Sequence, residues 1–309
     1  MSAVRRFGAR LAVVMIAATT LTGCATPGAT DEPLIAVSTN ILGDVVEQLV
    51  GDQAEVLTLM RPGADPHSFE ISAQEVARLQ SADLVVSNGL GLEEGLAQHL
   101  DAAAASGART VVAGDAVAVL PYASEDAGGA DDPHFWTDPA QMIAVVDALE
   151  PVIAEIDGID RAALAARTEA YRTELENLDA EMSEAFAAIP AERRALVTNH
   201  HVFGYLAHRF DVRIVGAAIP GGTTLAAPSA SDLAELVAAI EDAGVPTIFA
   251  ESSAPDRLMR VLAEEADVHV EVVELFTESL TAADGEAPDY LTMMRVNTER
   301  IVTGLAPTP

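Results

Sequence analysis

The sequence predicts an α/β protein built as two βα lobes with mainly parallel sheets, joined by one long rigid backbone helix. Three observations carry this. Short runs rich in Val, Ile and Leu alternate with longer Ala/Leu/Glu patterns of helical period, the signature of βα units. The alternation occurs twice. Between the two series, residues 160–188 (DRAALAARTEAYRTELENLDAEMSEAFAA) contain neither Gly nor Pro and are bounded by Gly158 and Pro190, so they read as one continuous helix.

In the first series, strands are expected at 34–38, 55–59, 84–87 and 110–113, with helices at 42–50, 72–80 and 92–105. In the second, strands are expected at 195–198, 213–216, 247–250 and 270–273, with helices at 231–243, 256–265 and 290–305. Residues 34–155 and 191–309 are then the two lobes, and 156–190 the connecting helix.

The segment before them reads as a targeting signal. Residues 1–10 carry Arg5, Arg6 and Arg10 and no acid, and 11–21 are apolar or small, too few to span a bilayer. The run ends Leu21-Thr22-Gly23-Cys24, which resembles a bacterial lipobox. On that reading 1–23 is removed, Cys24 is acylated, and 24–33 is a tether holding the body outside the cytoplasmic membrane. Cys24 is the sole cysteine, which excludes an internal disulfide and leaves stability to the core. With 17 Lys+Arg against 48 Asp+Glu, the chain repels nucleic acid and anionic surfaces.

Ligands of doubly wound sheets sit beyond the carboxyl ends of the strands, so polar groups just after strands are the informative ones. After the second strand comes Arg61-Pro62-Gly63-Ala64-Asp65-Pro66-His67-Ser68-Phe69-Glu70. After the fourth comes Asp132-Pro133-His134-Phe135-Trp136-Thr137-Asp138-Pro139. Asp-Pro-His thus occurs twice. Proline stiffens each loop, and the carboxylates Asp65 and Asp132 can orient a loop amide or a ring nitrogen. The second series opens with Thr198-Asn199-His200-His201, and Glu278 follows its last strand in Leu275-Phe276-Thr277-Glu278-Ser279-Leu280. Three histidines and one carboxylate make a tetrahedral donor set suited to zinc, with manganese as the alternative.

These stretches, together with Tyr290-Leu291-Thr292-Met293-Met294-Arg295-Val296-Asn297, resemble the solute-binding lipoproteins of zinc and manganese ABC transporters, the zinc-uptake and adhesin-like family of periplasmic-binding-protein type. The resemblance spans nearly the whole chain. It implies a metal held between the lobes by His67, His134, His200 and Glu278, delivery to a membrane permease served by a cytoplasmic ATPase, a monomer, and no enzymatic activity. Its register selects His200 over His201. His201 and Glu251 are left as candidates for the surrounding shell, with Glu251 as the substitute for Glu278.

Two features depart from the family pattern. The fourth ligand position is usually Asp rather than the longer Glu, and residues 122–132 (YASEDAGGADD) replace a His-rich insertion with acids, reading as a solvated loop. His99, His208 and His269 read as helix or strand-edge residues outside the site. Two other readings compete. A zinc hydrolase would use Glu278 or Glu251 as base beside an open coordination position, but no His-Glu-x-x-His pair is present. A lipoprotein binding a metal chelate or organic ligand would need aromatic and Arg groups in the cleft, for which Trp136 and Arg61 are the candidates.

Overall fold

The first four strands, β1 (Leu34–Val37), β2 (Glu55–Thr58), β3 (Leu84–Ser87) and β4 (Thr110–Val112), form one parallel sheet in the order β2-β1-β3-β4. Parallel strands need crossovers, and α1 (Asn40–Val50), α2 (Ala73–Gln80) and α3 (Ala97–Ala105) supply them. The order reverses between β1 and β3, which opens a crevice at their carboxyl ends. The computed structural model describes residues 32–122, 127–266 and 270–306. The expected leader 1–23, the expected lipidation residue Cys24, the expected tether up to residue 31 and His269 lie outside the described residues.

After α4 (Pro139–Ile153) comes α5 (Arg161–Ala187), 27 residues long and therefore about 40 Å end to end. The Asp160 carboxylate caps α5 by accepting from the amides of Ala162 and Ala163. Its buried residues, Leu164, Thr168, Tyr171, Leu175, Leu178, Met182 and Phe186, recur every three or four positions and form one stripe. That stripe packs on α1, α4 and α9 (Tyr290–Leu305).

The second series contains β5 (Ala195–Thr198), α6 (Gly204–Phe210), β6 (Arg213–Ala217), α7 (Ala230–Ala243), β7 (Thr247–Glu251), α8 (Arg257–Glu265) and β8 (Glu271–Leu275). β5 pairs with β6 and β7 with β8, both in parallel, and β5 lies against β7. Residues 32 onward make one compact unit. Its main core joins Ile35 and Val86 of the first sheet, Leu175 of α5, Phe249 of β7 and Met293 of α9. A smaller cluster around Leu236, Ile248 and Met259 lies beneath α7 and α8.

Three differences from expectation have physical causes. α3 begins at Ala97, not 92, because Glu93 is turned inward: its carboxylate accepts from Ser38 Oγ and from the amides of Asn88 and Gly89, which holds the preceding residues in a turn. Leu90, at φ 54°, sits within that turn. α4 was not expected, although the Asp138 carboxylate caps it and Pro139 opens it, a recognisable start signal. β8 runs 271–275, two residues beyond the expected end, because its ladder with β7 continues through Glu251↔Leu275.

Leu175 is fully buried at the middle of the α5 stripe. Leu175→Ala should lower unfolding stability by about 2–5 kcal/mol, seen as a reduced urea midpoint at unchanged slope.

Candidate metal centre

Four loops, each leaving the carboxyl end of a strand or following the first sheet, bring His67, His134, His200 and Glu278 together. All four are at most 2 % exposed. One donor atom from each lies within 4.8 Å of the others. Glu278 Oε1 stands 3.1 Å from His67 Nε2, 3.4 Å from His134 Nε2 and 3.2 Å from His200 Nε2. His134 Nε2 is in turn 3.4 Å from the Nε2 of both His67 and His200. Donors bound at about 2.0–2.1 Å to a tetrahedral centre stand roughly 3.3–3.4 Å apart, so these separations are those of tetrahedron edges. Neither Glu278 oxygen has a hydrogen-bond partner among the protein groups. The carboxylate is close to three imidazoles without being aligned to any one of them, as expected for lone pairs converging on a common point.

The Glu278 loop is fixed from three sides. Asn297 Nδ2 donates to the Phe276 carbonyl at 2.7 Å while its oxygen accepts from the Phe276 amide at 2.9 Å. Trp136 Nε1 donates to the Thr277 carbonyl at 2.8 Å. Asn40 Nδ2 donates to Ser279 Oγ at 2.8 Å, and its oxygen accepts from the Leu280 amide at 3.1 Å. Ser279 Oγ also accepts from the Gly63 amide at 2.9 Å, tying this loop to the one that carries His67.

His134 is held most completely. The Asp132 Oδ1 atom accepts from the His134 amide at 2.9 Å and from ring Nδ1 at 2.7 Å. A carboxylate on Nδ1 keeps the proton of the neutral ring there and turns the Nε2 lone pair inward. Asp132 fits because Gly204, at the start of α6, has no Cβ; one placed there would collide with the Asp132 carboxylate. Asn88 Nδ2 donates to the Pro133 carbonyl at 3.0 Å, so the Glu93–Asn88 network also reaches this loop. His200 is oriented alike, its Nδ1 bonding Glu251 Oε1. Asp65 accepts from the His67 amide at 2.8 Å but does not reach the ring.

Electrostatically, burial pulls His134 and His200 toward the neutral form, yet neighbouring carboxylates outweigh it. The Asp132 contact and charge, with Glu278, raise His134; the charges of Glu278 and Glu251 hold His200 well above the ordinary histidine value. Burial alone would raise Glu278, but the charge on His200 and the approach of His134, His200 and His67 keep its carboxyl well below the usual range. Without a metal, the pocket therefore holds protons.

The sequence-derived candidates fall into clear places. His67, His134, His200 and Glu278 form the cluster, Asp132 and Glu251 bond the Nδ1 atoms of His134 and His200, and Asp65 bonds the amide of His67. Glu251 stands outside the group of four, behind His200. His201 is half-buried and lines a surface pocket with Ile214 and Leu236, outside the cluster. His99 and His208 sit in α3 and α6, also outside it. Arg61 is exposed, and Trp136 is buried with its N–H bonded to the Thr277 carbonyl. The acidic loop is not solvated throughout, since Tyr122 and Asp132 are buried at its ends. Asn40, Glu93 and Asn88 were missed, and Asn297 stood within a matching stretch without a role; Asn88-Gly89, a turn dipeptide, had a local signal.

The sequence model of the family described as "Zinc-uptake complex component A periplasmic" matches residues 35–304. The chain is 30 % identical over 279 residues to the zinc-binding protein TroA of Treponema pallidum (strain Nichols), covering 89 % of each. It is 26 % identical over 288 residues to the manganese ABC transporter substrate-binding lipoprotein PsaA of Streptococcus pneumoniae, covering 92 % of each. The solved structure of periplasmic zinc binding protein TroA from Treponema pallidum superposes with a TM-score of 0.82, covering 89 % of this chain and all of that one.

Asp132→Asn and Glu251→Gln should each weaken metal binding by roughly 10–100-fold, since each carboxylate orients one imidazole. Chelator competition on the folded variants measures this, and unchanged affinity would show that the rings need no such support.

Proposed function

The chain belongs to the zinc-uptake complex component A periplasmic family, and from that premise we propose that it is the extracytoplasmic metal-binding component of an ABC importer. It captures Zn2+ between its two lobes with His67, His134, His200 and Glu278 and delivers it to a membrane permease driven by a cytoplasmic ATPase. The observation that carries this reading is the buried cluster of three Nε2 atoms and one carboxylate oxygen at tetrahedral-edge spacing. Three nitrogen donors favour zinc, because manganese prefers a set richer in oxygen. Mn2+ is the alternative cargo, supported by the likeness to a manganese-named lipoprotein.

The reading extends to the unpaired ends of the chain's organisation. Residues 1–23 are a lipoprotein signal and 24–33 a tether acylated at Cys24, supported by Leu21-Thr22-Gly23-Cys24 and by the lipoprotein character of PsaA. The body is then anchored at the outer face of the cell membrane and acts as a monomer. Residues 34–155 and 191–309 are the two lobes, joined through 156–190. Binding rather than catalysis is favoured because a carboxylate fills the fourth donor position, which a hydrolytic zinc site leaves to water.

Capture proceeds by proton displacement. Only neutral imidazoles bind a metal, so every proton held by His134 and His200 must leave as the ion enters. Raised folded-state values mean that protonation competes with metal already above the ordinary histidine range, and does so more strongly as pH falls.

Competitive titration of the metal-stripped body with zinc and manganese should give one tight zinc site, weakened at least about tenfold in Glu278→Ala. Tight binding of neither metal would overturn the proposal. Zinc affinity should fall progressively from pH 8 to pH 6; a flat profile would mean that the ligands are already deprotonated throughout.

A further inference from the structure

The two Asp-Pro-His segments place equivalent histidines but support them differently. Asp132 bonds both the amide and the ring of its histidine. Asp65 bonds only the amide of His67, and its other oxygen, Oδ2, accepts from Ser68 Oγ at 3.0 Å and from Thr224 Oγ1 at 2.7 Å. His67 Nδ1 is buried without a hydrogen-bond partner; the nearest carboxylate, Glu94 Oε1, is 3.9 Å away. Glu94 Oε1 is itself bound, at 2.9 Å, by Thr223 Oγ1. Both carboxylates flanking His67 are therefore held by adjacent hydroxyls of one loop, which follows β6 in the second series and is far from His67 in sequence.

That loop has further anchorage. Tyr122 donates its hydroxyl proton to the Gly222 carbonyl, and a Cβ at Gly222 would strike the Tyr122 ring. The loop thus closes against the first-series loops through Tyr122, Glu94 and Asp65 together. Its outer side is open to solvent, with Glu94 side chain 46 % exposed and Leu225 56 % exposed. His134 and His200, by contrast, are fully buried and bonded through Nδ1 to buried carboxylates.

Resting on the metal-capture reading above, we propose that Thr223 and Thr224 are positioning residues for His67, and that metal leaves the site through His67. When the two hydroxyls release Glu94 and Asp65, the carboxylate that bonds the His67 amide is freed, while His134 and His200 stay fixed by their own carboxylates. Coordination then opens at one corner. The continuous α5 makes this local route mechanically easier than a swing of whole lobes, because an unbroken helix does not absorb large backbone rotations. A partner that pulls this loop away would trigger release without unfolding the remaining site.

The test is stopped-flow dissociation of zinc from the mature protein into excess chelator, for wild type, Thr224→Val, Thr223→Val and Thr224→Ser, with cobalt(II) spectra and thermal melting alongside. Thr224→Val replaces the hydroxyl by a methyl group of similar size, and it should raise the dissociation rate by roughly tenfold or more while association changes little. Thr223→Val should act in the same direction, and Thr224→Ser should restore the wild-type rate. The cobalt(II) spectrum should remain that of a tetrahedral site and the melting temperature should hold, which separates lost positioning from lost folding. An unchanged dissociation rate in both valine variants, or an increase that serine does not reverse, overturns the proposal. Failure of the wild-type protein to bind zinc or cobalt(II) would instead overturn the metal-capture reading.

Discussion

Three imidazole nitrogens facing one carboxylate oxygen in a nearly waterproof pocket make a condition that the rest of the fold must satisfy. A buried carboxylate without hydrogen bonds is costly, by about 1–3 kcal/mol or more for each lost partner. Glu278 tolerates its place because positive charge is close at hand: protons on the histidines when the site is empty of cargo, a divalent cation when it is filled. The same burial that makes the site costly makes it tight, since competing water is excluded and the attraction is weakly screened.

Holding four donors at one point requires loops stiffer than loops usually are. Side-chain amides and indole provide this, with Asn297, Trp136 and Asn40 each bonding the backbone of residues 276–280. Tyr290 extends the chain of support by donating to the Trp136 carbonyl at 2.6 Å, which connects the loop carrying His134 to the start of α9. Behind these contacts, α5 and α9 share one apolar core with both series of strands, so the loops rest on a common frame. Support is nevertheless unequal. Two histidines lean on buried carboxylates through their rings, and the third depends on a loop that reaches over from the other series.

The secondary structure was legible where local pattern decides it. The strands of the first sheet follow from short runs rich in Val, Ile and Leu, and the span of α5 from the absence of Gly and Pro between Gly158 and Pro190. Where a tertiary contact overrides local preference, sequence reading misses: Glu93 lies in a good helical pattern but is drawn inward to Ser38, Asn88 and Gly89, and α3 starts late. α4, by contrast, carries a local start signal in Asp138-Pro139. The four clustered residues were legible because their loop chemistry is local and the two Asp-Pro-His copies are distinctive. Their supports were not, because an asparagine bonding a hydroxyl and a backbone amide more than two hundred residues away, as Asn40 does with Ser279 Oγ and the Leu280 amide, leaves no pattern in sequence.

By itself the sequence determined the α/β class, the long central helix and the donor types, since each depends on residue chemistry over a few neighbouring positions. Only the tertiary structure decided that Glu278 and not Glu251 completes the cluster, that Asp132 reaches a ring while Asp65 reaches only an amide, and that Thr223 and Thr224 stand behind His67. The physical reason is distance. A hydrogen bond is settled within a few tenths of an ångström, and which carboxylate meets which imidazole depends on how separate loops approach across the crevice, something no local pattern encodes.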